Sequence, residues 1–139
     1  MKELILTEAI DLSYCKIRYE GPVVYFVFKE GAELGFPEIR ECTYHAERLS
    51  GKKPYLVLSD ARVNMNVTQE GRKVASDIKE APLLRGTAVL VKNTALKIAT
   101  NYFTKFGGPN YPFRAFTDKQ KAIDWLMKLW ENGQLQFPV

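Results

Sequence analysis

A chain of 139 residues with 46% hydrophobic and 12% aromatic residues can build one domain with its own core. No apolar run approaches the roughly 20 residues of a membrane helix, so a helical span is excluded. The net charge of +4 is uneven, with 6 Lys/Arg against 9 Asp/Glu in residues 1–51, 11 against 4 in 52–114, and parity after that.

Residues 3–10 and 12–20 are strand-like, and Gly21-Pro22 marks a turn before Val23–Phe28, the strongest strand signal in the chain. Short links make this opening an antiparallel meander. Gly31 and Gly35 break it. Ile39, Cys42, Ala46 and Leu49 then recur at helical spacing, which predicts a helix over Pro37–Leu49 with Pro in its first turn. Tyr55–Asp60 is a strand. Val67, Val74, Ala75 and Ile78 form the stripe of a second helix capped by Asn66 or Thr68, and Thr87–Lys92 is the next strand.

Ala95, Ile98, Ala99, Tyr102, Phe103 and Phe106 follow helical spacing without a miss, with Thr94 as the expected cap and Gly107-Gly108-Pro109 as the stop. That stripe is expected in the core. Phe113–Phe116 is a short strand. Thr117-Asp118-Lys119-Gln120 reads as a capping box for a last helix with the stripe Ala122, Trp125, Leu126, Leu129 and Trp130, closed by Gly133. The whole predicts a mixed α/β sheet in the order βββαβαβαβα, three leading antiparallel strands followed by parallel ones, as a single domain over 1–139.

In open α/β sheets the ligand site lies outside the carboxyl ends of the parallel strands. Those ends gather Asp60, Arg62, Asn66, Thr68, Lys92, Asn93 and Thr94, the candidate binding surface. Helix capping is the competing account of Asn66, Thr68 and Thr94, and an ion pair with Arg62 that of Asp60. A phosphate-accepting role for Asp60 needs an acidic pair at the end of the first strand, and none stands there. Cys42 and His45 share a helix face, as a nucleophile pair would. There is no second histidine, and Cys42 falls in the apolar stripe, so a buried thiol beside a boundary imidazole is the simpler account. Cys15 and Cys42 make no disulfide framework.

No phosphate-binding, dinucleotide, hydrolase or zinc motif occurs, so no catalytic residue, metal or cofactor is expected. Basic residues lie scattered without a nucleic-acid motif, and no nucleic-acid partner is expected. The acid-bearing start Met1–Glu8 lacks a signal-peptide core, so a cytoplasmic protein is expected. The loop Gly107–Pro112 reads as a stop-and-turn or as a lid over a neighbouring pocket.

The stretch Tyr55–Arg62, the helix start Thr68-Gln69-Glu70-Gly71-Arg72, the strand Gly86–Val91 and the ending Pro112–Asp118 with Lys121–Leu126 together resemble the STAS/SpoIIAA-like superfamily over about residues 54–129. The resemblance implies a sheet with helices mainly on one side, used for protein–protein regulation, small-ligand sensing or lipid handling. Its anti-anti-sigma members carry Asp-Ser-Ser-Gly at a helix start where this chain has Val67-Thr68-Gln69-Glu70-Gly71, so no phosphorylated serine has a counterpart. The function expected is a non-enzymatic regulatory or protein-interaction domain, a homodimer, working through the rim. The alternative is a carrier or sensor of a small apolar or amphipathic ligand held between the sheet and the Phe103/Phe106 helix.

Overall fold

A computed structural model describes the backbone of residues 9–136, so residues 3–8 of the first expected strand and the tail 137–139 lie outside the described residues. The elements are β1 (Ala9–Asp11), β2 (Cys15–Glu20), β3 (Val23–Phe28), β4 (Glu33–Leu34), α1 (Phe36–Leu49), β5 (Tyr55–Asp60) and β6 (Asn66–Val67). They continue with α2 (Gln69–Ala75), a 3-10 turn (Ile78–Glu80), β7 (Leu84–Leu90), α3 (Thr94–Lys105), β8 (Phe113–Phe116) and α4 (Lys119–Gln136).

Six strands form the main sheet in the order β1-β2-β3-β5-β7-β8. β1, β2 and β3 are antiparallel; β5, β7 and β8 each add parallel to the strand before. The mixed sheet of the sequence reading is therefore the observed one. A two-residue parallel ladder of β4 and β6, which carries no periodic signal, ties the loop after β3 to the loop after β5.

The doubly apolar strands are covered on both sides. On one face Cys15, Ile17, Val24, Phe26, Phe28, Tyr55, Val57 and Leu84 pack beneath α1, which contributes Cys42 and Ala46. On the other, Val23, Tyr25, Leu56, Leu58, Ala88, Leu90 and Phe116 meet Ala122 and Leu126 of α4. Helices thus flank both faces, three on one side as expected and α4 alone on the other. Parallel strands added in one direction by right-handed crossovers put α1, α2 and α3 on the same side. α4 is followed by no further strand, so it is free to fold back under the other face.

Local signals fixed most boundaries. Gly35 precedes α1, with Pro37 in the first turn and the Glu38 carboxylate accepting from the Gly35 N–H at 2.8 Å. Thr68 caps α2 by accepting from the Gly71 N–H at 3.0 Å. Gly71 itself is buried, and a Cβ there would stand 2.4 Å from the Leu34 carbonyl oxygen.

Three caps and ends differ from the sequence reading. Asn93, not Thr94, caps α3, accepting from the Leu96 N–H at 2.9 Å. Asp118, not Thr117, caps α4, with its Oδ1 taking the Gln120 and Lys121 N–H groups at 2.8 and 3.2 Å. In both cases the Asx side-chain oxygen accepts from amides of the first helical turn, and the threonine beside it is left over. Gly133 lies inside α4 rather than closing it, because an isolated glycine costs a helix only about 1 kcal/mol.

Two elements moved further. The predicted helix over Val67–Ile78 is split, since Val67 pairs in β6 and Asp77 starts a separate 3-10 turn by accepting from the Lys79 N–H at 3.0 Å. The α3 stripe is not core: Phe103 and Phe106 are each 66% exposed, and Ile98 and Tyr102 are exposed as well. α3 lies along the free edge of β8, where the Asn101 side chain accepts from the Ala115 N–H at 2.8 Å and donates to its carbonyl at 3.1 Å. A polar side chain, not the apolar stripe, faces the sheet there.

Candidate functional site

Two regions answer to the sequence expectations. The first is the rim at the carboxyl ends of β3, β5 and β7. Asp60 ends β5 and is clamped by Arg62, whose Nε and Nη2 donate to the two carboxylate oxygens at 2.9 and 2.8 Å. This side-chain pairing holds the Asp60 carboxyl below the usual carboxylate range against the opposing effect of burial. Lys92 donates from Nζ to the Asn64 Oδ1 at 2.6 Å, and Asn64 donates from Nδ2 to Glu30 at 2.8 Å. The loops after β3, β5 and β7 therefore do share one rim.

What the rim residues do there is mostly structural. Thr68 and Asn93 are helix caps, Thr94 is the first helical residue, and Asn66 sits in the β4–β6 ladder with its N–H on Ala32. Asp60 and Arg62, and Glu30, Asn64 and Lys92, answer one another.

The second region is a cavity of about 250 Å³ between the sheet and the α1–α2 layer. Strand side chains Phe26, Val57, Val89 and Phe113 floor it, and Ile39 and Val74 roof it. Close-packed interiors hold few voids larger than a water molecule, so a space of this size in so small a fold is a feature to be explained. It arises because α3 lies over the β8 edge, leaving the same-side surface of β7 and β8 without a helix. The expected pocket beneath the Phe103/Phe106 helix is thus corrected: neither Phe lines the cavity, and both face solvent.

The charged lining residues and Tyr111 stand at the opposite end of the strands from the rim, while Ser59 lines the cavity beside the rim. Thr87, only 5% exposed, and Tyr111 lie against each other on the wall, and the Tyr111 hydroxyl donates to the Ala75 carbonyl at 2.8 Å. Burial pushes the Tyr111 phenol up, and its hydrogen bond with Thr87 draws it partly back. Asp77 and Glu80 stand on the segment leading into β7. The Gly107–Pro112 loop borders this end. Asn110 accepts from the Ile78 N–H at 2.8 Å and donates its own N–H to Ser76 at 3.1 Å, fastening the loop to the cavity wall.

The Cys42–His45 pairing does not form a nucleophile. Cys42 is buried with Cys15 as its neighbour, and contact with that thiol, followed by burial, pushes the Cys42 thiol far above its ordinary value. His45 Nδ1 is the buried side-chain polar atom without a partner among the described residues. Among the described residues no three His, Cys, Asp or Glu side chains cluster as metal ligands would, and no helix is long and apolar enough to cross a membrane.

An open mixed sheet, antiparallel at its start and parallel after it, with helices on both faces is a small α/β domain of the SpoIIAA-like fold. The chain belongs to the family described as "Domain of unknown function (DUF7793)", which it matches over residues 15–129. Among solved structures it is similar to an uncharacterized protein from the DUF3478 family with a SpoIIAA-like fold, from Shewanella loihica PV-4. The two share 20% identity over 86% of this chain and 94% of that one, with a TM-score of 0.53. The likeness establishes the fold. A comparison with curated proteins finds no match.

The cavity left no direct trace in the sequence. Most of its wall residues are ordinary core residues by type and spacing. The one hint was a shortage: α2 is short and presents only Val74 and Ala75 toward the sheet, which roofs it without filling the space beneath.

Proposed function

We propose that this chain is a non-enzymatic binding domain whose ligand is a small, mainly apolar molecule held between the sheet and the α1–α2 layer. The observation that carries this reading is the cavity of about 250 Å³ with its aromatic and aliphatic walls. A dry apolar cavity of roughly 150 Å³ suffices for benzene, so this one has room for a ligand on the order of ten heavy atoms. Against catalysis stand the protonated, buried Cys42 thiol and the Asp60 carboxylate tied to Arg62.

The test is a titration with 1-octanol followed by amide chemical shifts. Saturable shifts at Val57, Val89 and Phe113 are expected, and Val89→Phe, which places a ring in the space, abolishes them while leaving the melting temperature within a few degrees. Shifts confined to surface residues, or undiminished in the folded variant, would overturn the proposal.

A second reading, a regulatory protein-interaction domain that pairs with a second copy, draws on the exposed Tyr102, Phe103 and Phe106. The rim of Asp60, Arg62, Asn66, Thr68, Lys92, Asn93 and Thr94 would then be its working surface toward a protein partner. Exposed apolar clusters of this kind are common at interfaces. Light scattering decides it, with a dimer expected and a strict monomer at high concentration ending it.

A further inference from the structure

The charges around the cavity are all of one sign. Of its lining residues the charged ones are Asp77 and Glu80, and no Lys, Arg or His is among them. Glu80 is paired with Arg40 at 3.2 Å. Hydroxyl groups that line it, on Thr43, Ser59, Thr87 and Tyr111, are neutral and supply no counter-charge to an anion, and the Tyr111 hydrogen is committed to the Ala75 carbonyl. A carboxylate or phosphate taken into this space would lose its hydration without gaining a counter-charge, and it would meet two carboxylates of the same sign.

Asp77 is differently placed. Its Oδ1 accepts from the Lys79 N–H at 3.0 Å and faces the Asn110 amide at 3.4 Å, and no cation pairs with it among the described residues. Asp77 is a lining residue of the cavity, and among the described residues its carboxylate has no ion-pair partner. An ammonium group there gains an ion pair while its alkyl or aryl body fills the apolar space beyond.

We infer that the cavity selects small amphiphiles with an amine head and rejects anionic ones, Asp77 being the residue that sets the preference. The inference rests on the cavity being a ligand site, and it narrows the ligand class from any apolar molecule to one excluding fatty acids and phosphate esters. Glu80 acts at the same end, with its charge partly answered by Arg40.

Three probes of equal chain length separate head group from body: octylamine, 1-octanol and octanoate, titrated calorimetrically into the intact chain at neutral pH. Octylamine is expected to bind more tightly than 1-octanol by up to about fivefold, the most that an exposed ion pair commonly supplies. Octanoate is expected to bind more weakly than either. Asp77→Asn keeps an oxygen for the Lys79 N–H, and it should bring octylamine down to the 1-octanol affinity without changing 1-octanol itself. Unchanged 1-octanol binding also certifies that the variant is folded.

If 1-octanol binds but octanoate matches or exceeds it, the inference falls while the ligand-site reading stands. It falls equally if the octylamine advantage survives Asp77→Asn. If none of the three binds, the ligand-site reading falls and takes the inference with it.

Discussion

Asp60 and Arg62 stand two residues apart at the end of β5, and their bidentate contact is the best-formed ion pair of the rim. The folded-state pKa of Asp60 is depressed, so the stability it contributes is present above its unfolded value and is lost as pH falls through the folded one. Asp60→Asn should therefore melt below the wild type at neutral pH. The gap should close as pH drops from about 4 toward 2, where the wild-type carboxylate also becomes neutral. Melting curves across that window check it, and a gap that persists unchanged at the acid end would assign the effect to packing instead. The pairing was foreseeable from spacing alone. The identity of the helix caps was not. Both Asn93-Thr94 and Thr117-Asp118 place two competent side chains next to each other, and the choice turns on where the backbone leaves the strand.

At the scale of elements, the α3–β8 pairing is the unusual one. An edge strand presents unpaired backbone groups that other chains can template upon. Here Asn101 occupies both groups of Ala115, acting as a one-residue substitute for a further strand. Asn101→Ala should cost about 1–3 kcal/mol, the range for stranding a partly buried backbone group. Urea unfolding measures it, and a loss well under the lower figure would show that water replaces the amide freely. No periodicity argument reveals such a contact. The hydrophobic pattern of α3 is strong, but it points to wherever apolar surface is available, and only the position of Asn101 within the helix fixes which side meets the sheet.

At the scale of the whole molecule, the placement of α3 leaves its apolar stripe in solvent and opens the cavity behind. The combined Phe103→Glu and Phe106→Glu exchange should change the unfolding free energy by no more than about 1 kcal/mol, as surface substitutions do. Two core phenylalanines would each cost roughly 3–5 kcal/mol on truncation. Thermal and urea unfolding separate the two cases widely, and light scattering on the same variant reports whether the stripe holds two copies together. The ligand reading and the self-association reading use different surfaces, the inner face of the sheet and the outer face of α3. Neither test disturbs the other.

By itself the sequence determined the order and type of nearly every long element, the antiparallel-to-parallel switch and the shared rim, because alternation, helical spacing and turn residues are local properties that each segment carries alone. Tertiary structure decided which helix faces which surface, that α4 covers the second face, and that a space remains under α1 and α2. Those outcomes depend on crossover handedness and on how far several helices together fill the volume above a sheet. That is a difference between sums over distant residues, and no single stretch of chain encodes it.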